Sequence, residues 1–166
     1  NKLIRIILPN NCIYDTRKGY LTFDVTLTKV GGTYIRIHSG IFSIFNRLRI
    51  LAGSTEIEDL RDYNRIYCIL WEMMNPILVT GNVGVDTLGF GTQVQRNLLG
   101  TTTTQYACPI YSGVLNTELL PIDNIKSQLV LEFYLEDPTT CVETDGTTPV
   151  IQISNISYHM ERLELD

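Results

Sequence analysis

The amino-acid sequence predicts an all-β fold: an eight-stranded antiparallel jelly-roll β-sandwich with one inserted helix at about 59–74. Three observations carry that expectation. Residues 127–136 alternate strictly, with Leu129, Leu131, Phe133 and Leu135 on one side and Val130, Glu132, Tyr134 and Glu136 on the other; that is the period of a strand with one buried face. Residues 19–29 repeat the pattern, Leu21, Phe23, Val25 and Leu27 set against Tyr20, Thr22, Asp24, Thr26 and Thr28. Helical spacing is confined to one stretch, so the crossover helices of a doubly wound α/β fold are missing. Eight strands in two sheets is the jelly-roll solution to such a pattern.

In chain order, residues 2–8 (KLIRIIL) form a β-rich run closed by Pro9-Asn10-Asn11. The strand at 19–29 ends at the turn signal Gly31-Gly32, and 34–38 (YIRIH) is a short strand stopped by Ser39-Gly40. Residues 45–52 place Leu48 and Ile50 inward and Arg47 and Arg49 outward, and Gly53-Ser54 turns the chain into a strand at 55–58. The period then changes. Leu60, Tyr63, Ile66, Tyr67, Leu70 and Met73 recur at helical spacing and are expected to form a core stripe. Acidic residues at the start suit the positive end of a helix dipole, and Asn75-Pro76 ends the helix.

Residues 77–105 hold five glycines and the run Thr101–Thr104. They read as a long surface excursion whose reason is contact with a neighbouring molecule. A strand is expected at 106–111, a turn or helical turn at 119–125, and a polar loop at 137–149. The closing strand runs over 150–165. There Ile151 and Ile153 share one parity and Ile156, Tyr158 and Met160 the other, which predicts a bulge near Asn155. There is no internal repeat, and 166 residues are one domain's worth of chain.

Composition narrows the function classes. The 166 residues carry a formal net charge of −5, and Arg47, Arg49, Arg61 and Arg65 are interleaved with Glu56, Glu58, Asp59 and Asp62. That is a compensated surface rather than a phosphate-binding one, so no direct nucleic-acid binding is expected. No apolar run approaches the ~18 residues of a transmembrane helix. Cys12, Cys68, Cys108 and Cys141 form no CxxC pair, and only His38 and His159 could join them, so a zinc site is not indicated. Cys68 and Cys108 read as buried free thiols. Cys12 and Cys141 lie in expected loops, where a disulfide between them stays open, although a reducing compartment is favoured.

The sequence nominates no catalytic, cofactor-binding or metal-binding residue and predicts no enzyme. Gly89-Phe90-Gly91 lacks the last glycine of a dinucleotide fingerprint and its strand–helix setting. Ser112 before Gly113 is the nearest approach to a nucleophile, with both histidines distant in sequence. Glu56, Glu58 and Asp59 could serve a glycosidase or calcium site, but the one tryptophan, Trp71, falls in the helix rather than in a sugar groove. Asp137 and Glu143–Asp145 are too sparse for a calcium loop.

Three segments carry a family resemblance. FNRLRILAGSTEIEDLRDYN (45–64) is a basic-alternating strand, a Gly turn, an acidic IED and DYN leading to a helix; YACPIYSGVLNTELLP (106–121) follows a strand–PL–SG–LL–LP pattern; ISNISYHMERLELD (153–166) is a closing strand with an E-x-x-x-x-D exit. Together they resemble the jelly-roll major capsid proteins of the polinton, virophage and adenovirus-like double-stranded DNA viruses. The resemblance implies a virion protein assembled inside the host cell. Its subunits carry two tandem jelly rolls and form homotrimers of pseudo-six-fold outline that tile an icosahedral shell, with neighbouring capsomers and penton or minor capsid proteins as partners. This chain holds one jelly roll. The resemblance therefore implies either the amino-terminal half of a tandem protein or a single-jelly-roll penton or minor capsid subunit. Two other readings stay beside it. One is a receptor- or carbohydrate-binding head; the other is a cupin-type enzyme, which would need two or three histidines and an acid on facing strands.

Overall fold

The computed structural model describes residues 2–10, 12–38, 40–74 and 103–163. The elements run β1 (Leu3–Ile7), β2 (Ile13–Val30), β3 (Ile35–Ile37), β4 (Phe45–Ala52), β5 (Thr55–Arg61), α1 (Tyr63–Met74), β6 (Thr104–Pro109), β7 (Leu119–Pro121), β8 (Leu129–Leu135), α2 (Pro138–Cys141), β9 (Val142–Thr144) and β10 (Thr147–Leu163). Every strand pair is antiparallel. One sheet has the order β1-β8-β4-β5; a second has the order β10-β2-β6, with β7 alongside β2; β3 and β9 form a small ribbon. The protein is an all-β sandwich of antiparallel sheets.

The alternation seen in the sequence builds the core. Leu21, Phe23, Val25 and Leu27 of β2 and Leu48, Ile50, Leu129, Leu131 and Phe133 of the first sheet are all buried. Phe45 bridges the layers, its ring 5.4 Å from Phe23 and 5.1 Å from Phe133 between centroids. Edge-on and offset ring pairs of this kind stabilise beyond simple burial, by about 1 kcal/mol each. Phe42, in the 3-10 turn Ile41–Ile44, extends the cluster to α1, where it stacks on Tyr67 and meets Tyr63 edge-on.

Five expectations need correction. The helix does not begin at 59. Strand β5 continues through Arg61, because Asp59 pairs with Arg49 across the ladder and Leu60 with Leu48. The break comes at Asp62, whose φ of 51° ends the extended run and whose carbonyl accepts from Arg65 and Ile66 to start α1. The acids therefore do not lie in the first turn of α1. The expected stripe is also rotated: Tyr63 and Tyr67 are buried together with Asn64 and Cys68, whereas Ile66, Leu70 and Met73 are exposed.

The loop expected at 137–149 contains α2, capped by Asp137, then β9 and the start of β10. Among the described residues ten strands stand against the eight expected: β3 forms at Ile35–Ile37 within the short strand expected at 34–38, and β7 and β9, of three residues each, are added because they gain partners that local pattern does not show. The open disulfide question closes, since all four cysteines are free and buried. The bulge is where the alternation put it: the β2–β10 register shifts between Ser154 and Ser157, with Asn155 at φ 51° and its amide donating to Asp24. Most of the 77–105 excursion, the Gly89–Gly91 motif and the 164–166 exit lie outside the described residues.

Candidate functional site

The residues that sequence offers for chemistry are each committed to holding the fold. Glu58, on β5, accepts from Ser112 Oγ at 2.5 Å and from the backbone amides of Gly113 and Val114 at 2.7 and 3.3 Å. Ser112 Oγ in turn accepts from Leu115 N. This ties the 112–116 turn to the first sheet and occupies Ser112, the nearest approach to a nucleophile in the sequence. Glu56 pairs with Arg49 and Asp59 with Arg47 and Arg61. Arg47 holds the Asp59 carboxyl down at about 2, with Arg61 adding to the effect.

The histidines do not converge. His159 stacks on Tyr20 at 4.8 Å and bonds Thr22 Oγ1 on the β2–β10 surface, whereas His38 follows β3 and donates its amide to Cys141 O. Among the described residues no cluster of three or more His, Cys, Asp or Glu is arranged to hold a metal. Asp137 caps α2 through Thr139 N. Asp145 accepts from Thr33 N, Thr33 Oγ1 and Tyr34 N, which holds its pKa well below the usual carboxylate range. The adjoining Gly32 has φ +72°, and a Cβ there would fall 2.3 Å from the Asp145 carboxylate, so these two turns lock together only with glycine. Arg36 forks onto Glu143 between β3 and β9.

The outer face of the first sheet carries a chain of ion pairs. Glu132, with 1% of its side chain exposed, is bracketed by Arg5 at 2.6 Å and Arg49 at 3.2 Å, and Tyr134 donates to it at 3.1 Å. Burial alone would raise the Glu132 pKa; the hydrogen bonds of Arg5 and Tyr134 and both guanidinium charges outweigh it and hold the group below its usual value. Alternation places Glu132 outward. Its burial comes from long side chains of β1 and β4 folding over it, a cross-strand effect with no signal along β8 itself.

What the described surface offers for recognition is apolar. The inner face of α1 is pinned by Tyr67 Oη donating to Pro109 O at 2.8 Å, Tyr111 N donating to Tyr63 Oη at 3.0 Å and Asn64 Nδ2 donating to Glu136 at 3.0 Å. Its outer face presents Ile66 (44% exposed), Ile69 (57%), Leu70 (36%) and Met73 (76%). Those four recur at i, i+3, i+4 and i+7, the spacing of an amphipathic stripe. A cavity of about 370 Å³ opens beside it, lined by Asn64, Arg65, Cys68 and Ile69 of α1 with His38 and Cys141 across. Among the described residues no helix is long and apolar enough to cross a membrane.

The chain matches no protein-family model and no curated protein.

Proposed function

We propose that the chain is a structural subunit of a virus shell, the jelly roll of a major capsid protein that self-assembles into trimeric, pseudo-hexameric capsomers. The observation that carries this reading is strand order. Counted in chain order, the eight strands of a jelly roll form one sheet reading second, seventh, fourth, fifth, and another reading first, eighth, third, sixth. The sheet β1-β8-β4-β5 and the sheet β10-β2-β6 follow the second through eighth of these in sequence. The small strands β3, β7 and β9 stand outside the scheme. The three sequence segments given above add the capsid-like resemblance. Fold alone hosts many functions, so the outer face of α1 supplies the second support: a subunit that tiles a shell needs an apolar contact surface, and Ile66, Ile69, Leu70 and Met73 are apolar and exposed there.

Light scattering on a sizing column, with the intact mass of the full-length protein, tests the proposal. The expected result is a trimer or larger ring. The double variant Ile69→Glu/Met73→Glu is expected to dissociate it while keeping the wild-type thermal midpoint within about 2 °C, since exposed substitutions barely change fold stability. A full-length protein that stays monomeric at all concentrations overturns the reading.

A further inference from the structure

We propose that the outer edge of β10 is a strand-docking site, occupied by the polypeptide immediately upstream of Asn1 in the full-length protein, running antiparallel to β10; this rests on the jelly-roll reading above. Among the described residues β10 pairs as a strand with β2 alone and ends its sheet. A strand of 17 residues so placed presents a row of backbone donors and acceptors that natural proteins cover or pair.

The core agrees that a strand belongs there. The inward residues of β2 are fully buried, but those of β10, Ile151, Ile153, Ile156, Tyr158 and Met160, are only half-buried. The same holds across the sandwich, where Ile4 and Ile6 of β1 are half-buried although their neighbours Leu131 and Phe133 on β8 are fully covered. One strand laid beside β10 and over β1 covers both sets. In the jelly-roll order that position, next to the eighth strand, belongs to the first.

The chain path identifies the occupant. An antiparallel partner of β10 ends beside the beginning of β10, where Ile151 lies. Ile151 and Lys2, which leads into β1, line one cavity of about 190 Å³ together with Ile44, Leu135, Glu136 and Pro138. A strand finishing there needs only a short turn to become β1. The two half-buried rows set its chemistry: apolar residues at alternate positions to meet Ile151–Met160 and β1, and polar ones between them, level with Gln152, Ser154 and His159.

Hydrogen exchange on the full-length protein tests this. Both alternating sets of β10 amides between Val150 and Met160 are expected to be protected, by about a hundredfold or more over exposed amides. Deleting the residues upstream of Lys2 is expected to return one of the two sets to fast exchange. Protection of the β2-facing set alone in the intact protein overturns the proposal. So does full protection that survives the deletion, because the covering segment then comes from elsewhere than the upstream polypeptide. Should the deletion variant not fold, crystallographic tracing of the intact protein decides: a strand beside β10 continuous with Lys2 supports the proposal, and one continuous with a neighbouring copy, or none, overturns it. The mass of the same sample separates the two readings, since a trimer with a free β10 edge defeats the docking site alone, and a monomer with a fully protected edge defeats the capsomer alone.

Discussion

Glu132 shows how far a single residue can depart from its place in a pattern. It sits on the wet side of β8 by alternation, yet 1% of its side chain is exposed, with Arg5 and Arg49 as ion partners. Replacing it with alanine removes three charge-assisted hydrogen bonds from a covered site and is expected to cost about 2–3 kcal/mol. Arg5→Ala, whose side chain is 63% exposed, is expected to cost under about 1 kcal/mol. Urea midpoints for the two variants check the ranking, and equal midpoints would mean that Glu132 is in effect solvated. Acid is a second probe of the same surface. The Asp59 carboxyl, held at about 2 by Arg47, titrates near 3.9 in an unfolded chain. Its folded pKa is depressed, so its contribution is complete above about pH 4 and lost as pH falls through about 2. The expected loss is about 1–2 kcal/mol, and Asp59→Asn is expected to flatten that part of the stability–pH curve.

At the scale of elements, legibility followed the range of the interaction that decides each one. β4, β8 and the buried face of β2 could be read from sequence because their alternation is set by one face meeting one core. The bulge at Asn155 was readable because a slipped parity has no other cause. The start of α1 was not: residues 59–61 suit a helix locally, and only the ladder to Leu48 and Arg49 keeps them extended. The rotation of α1 was equally hidden, since two apolar stripes compete on that helix and the tyrosine stripe wins by reaching Phe42, Pro109 and Tyr111. β9 exists because β3 lies beside it, a partnership at long range. The candidate surface on α1 was therefore legible in its residues and illegible in its direction. Facing can be tested on β8. Phe133 is fully buried and Tyr134, one residue on, is half-buried and turned outward. Phe133→Asp places an unpaired charge in the aromatic cluster and is expected to abolish folding, at about 4 kcal/mol or more. Tyr134→Asp is expected to leave a folded protein with reduced stability. Circular dichroism and soluble yield report both, and a folded Phe133→Asp would overturn the assignment of the core face.

For the whole molecule, net charge and the apolar face of α1 pull assembly in opposite directions. These 166 residues carry −5 at neutral pH, so copies brought together repel one another over roughly 10 Å at 0.1 M salt. The contact proposed for Ile66, Ile69, Leu70 and Met73 is apolar, so salt does not screen its attraction. Raising NaCl from about 0.1 M to about 1 M shortens the Debye length to roughly 3 Å and removes most of the repulsion while leaving the hydrophobic term in place. The proposed trimer is therefore expected to tighten with salt, by about tenfold or more in dissociation constant, which analytical ultracentrifugation of the full-length protein measures. An assembly held mainly by ion pairs between rims responds the other way and loosens over the same range. Loosening would move the interface from α1 to the charged outer face of the β1-β8-β4-β5 sheet, where Arg5, Arg61 and Glu56 reach the surface.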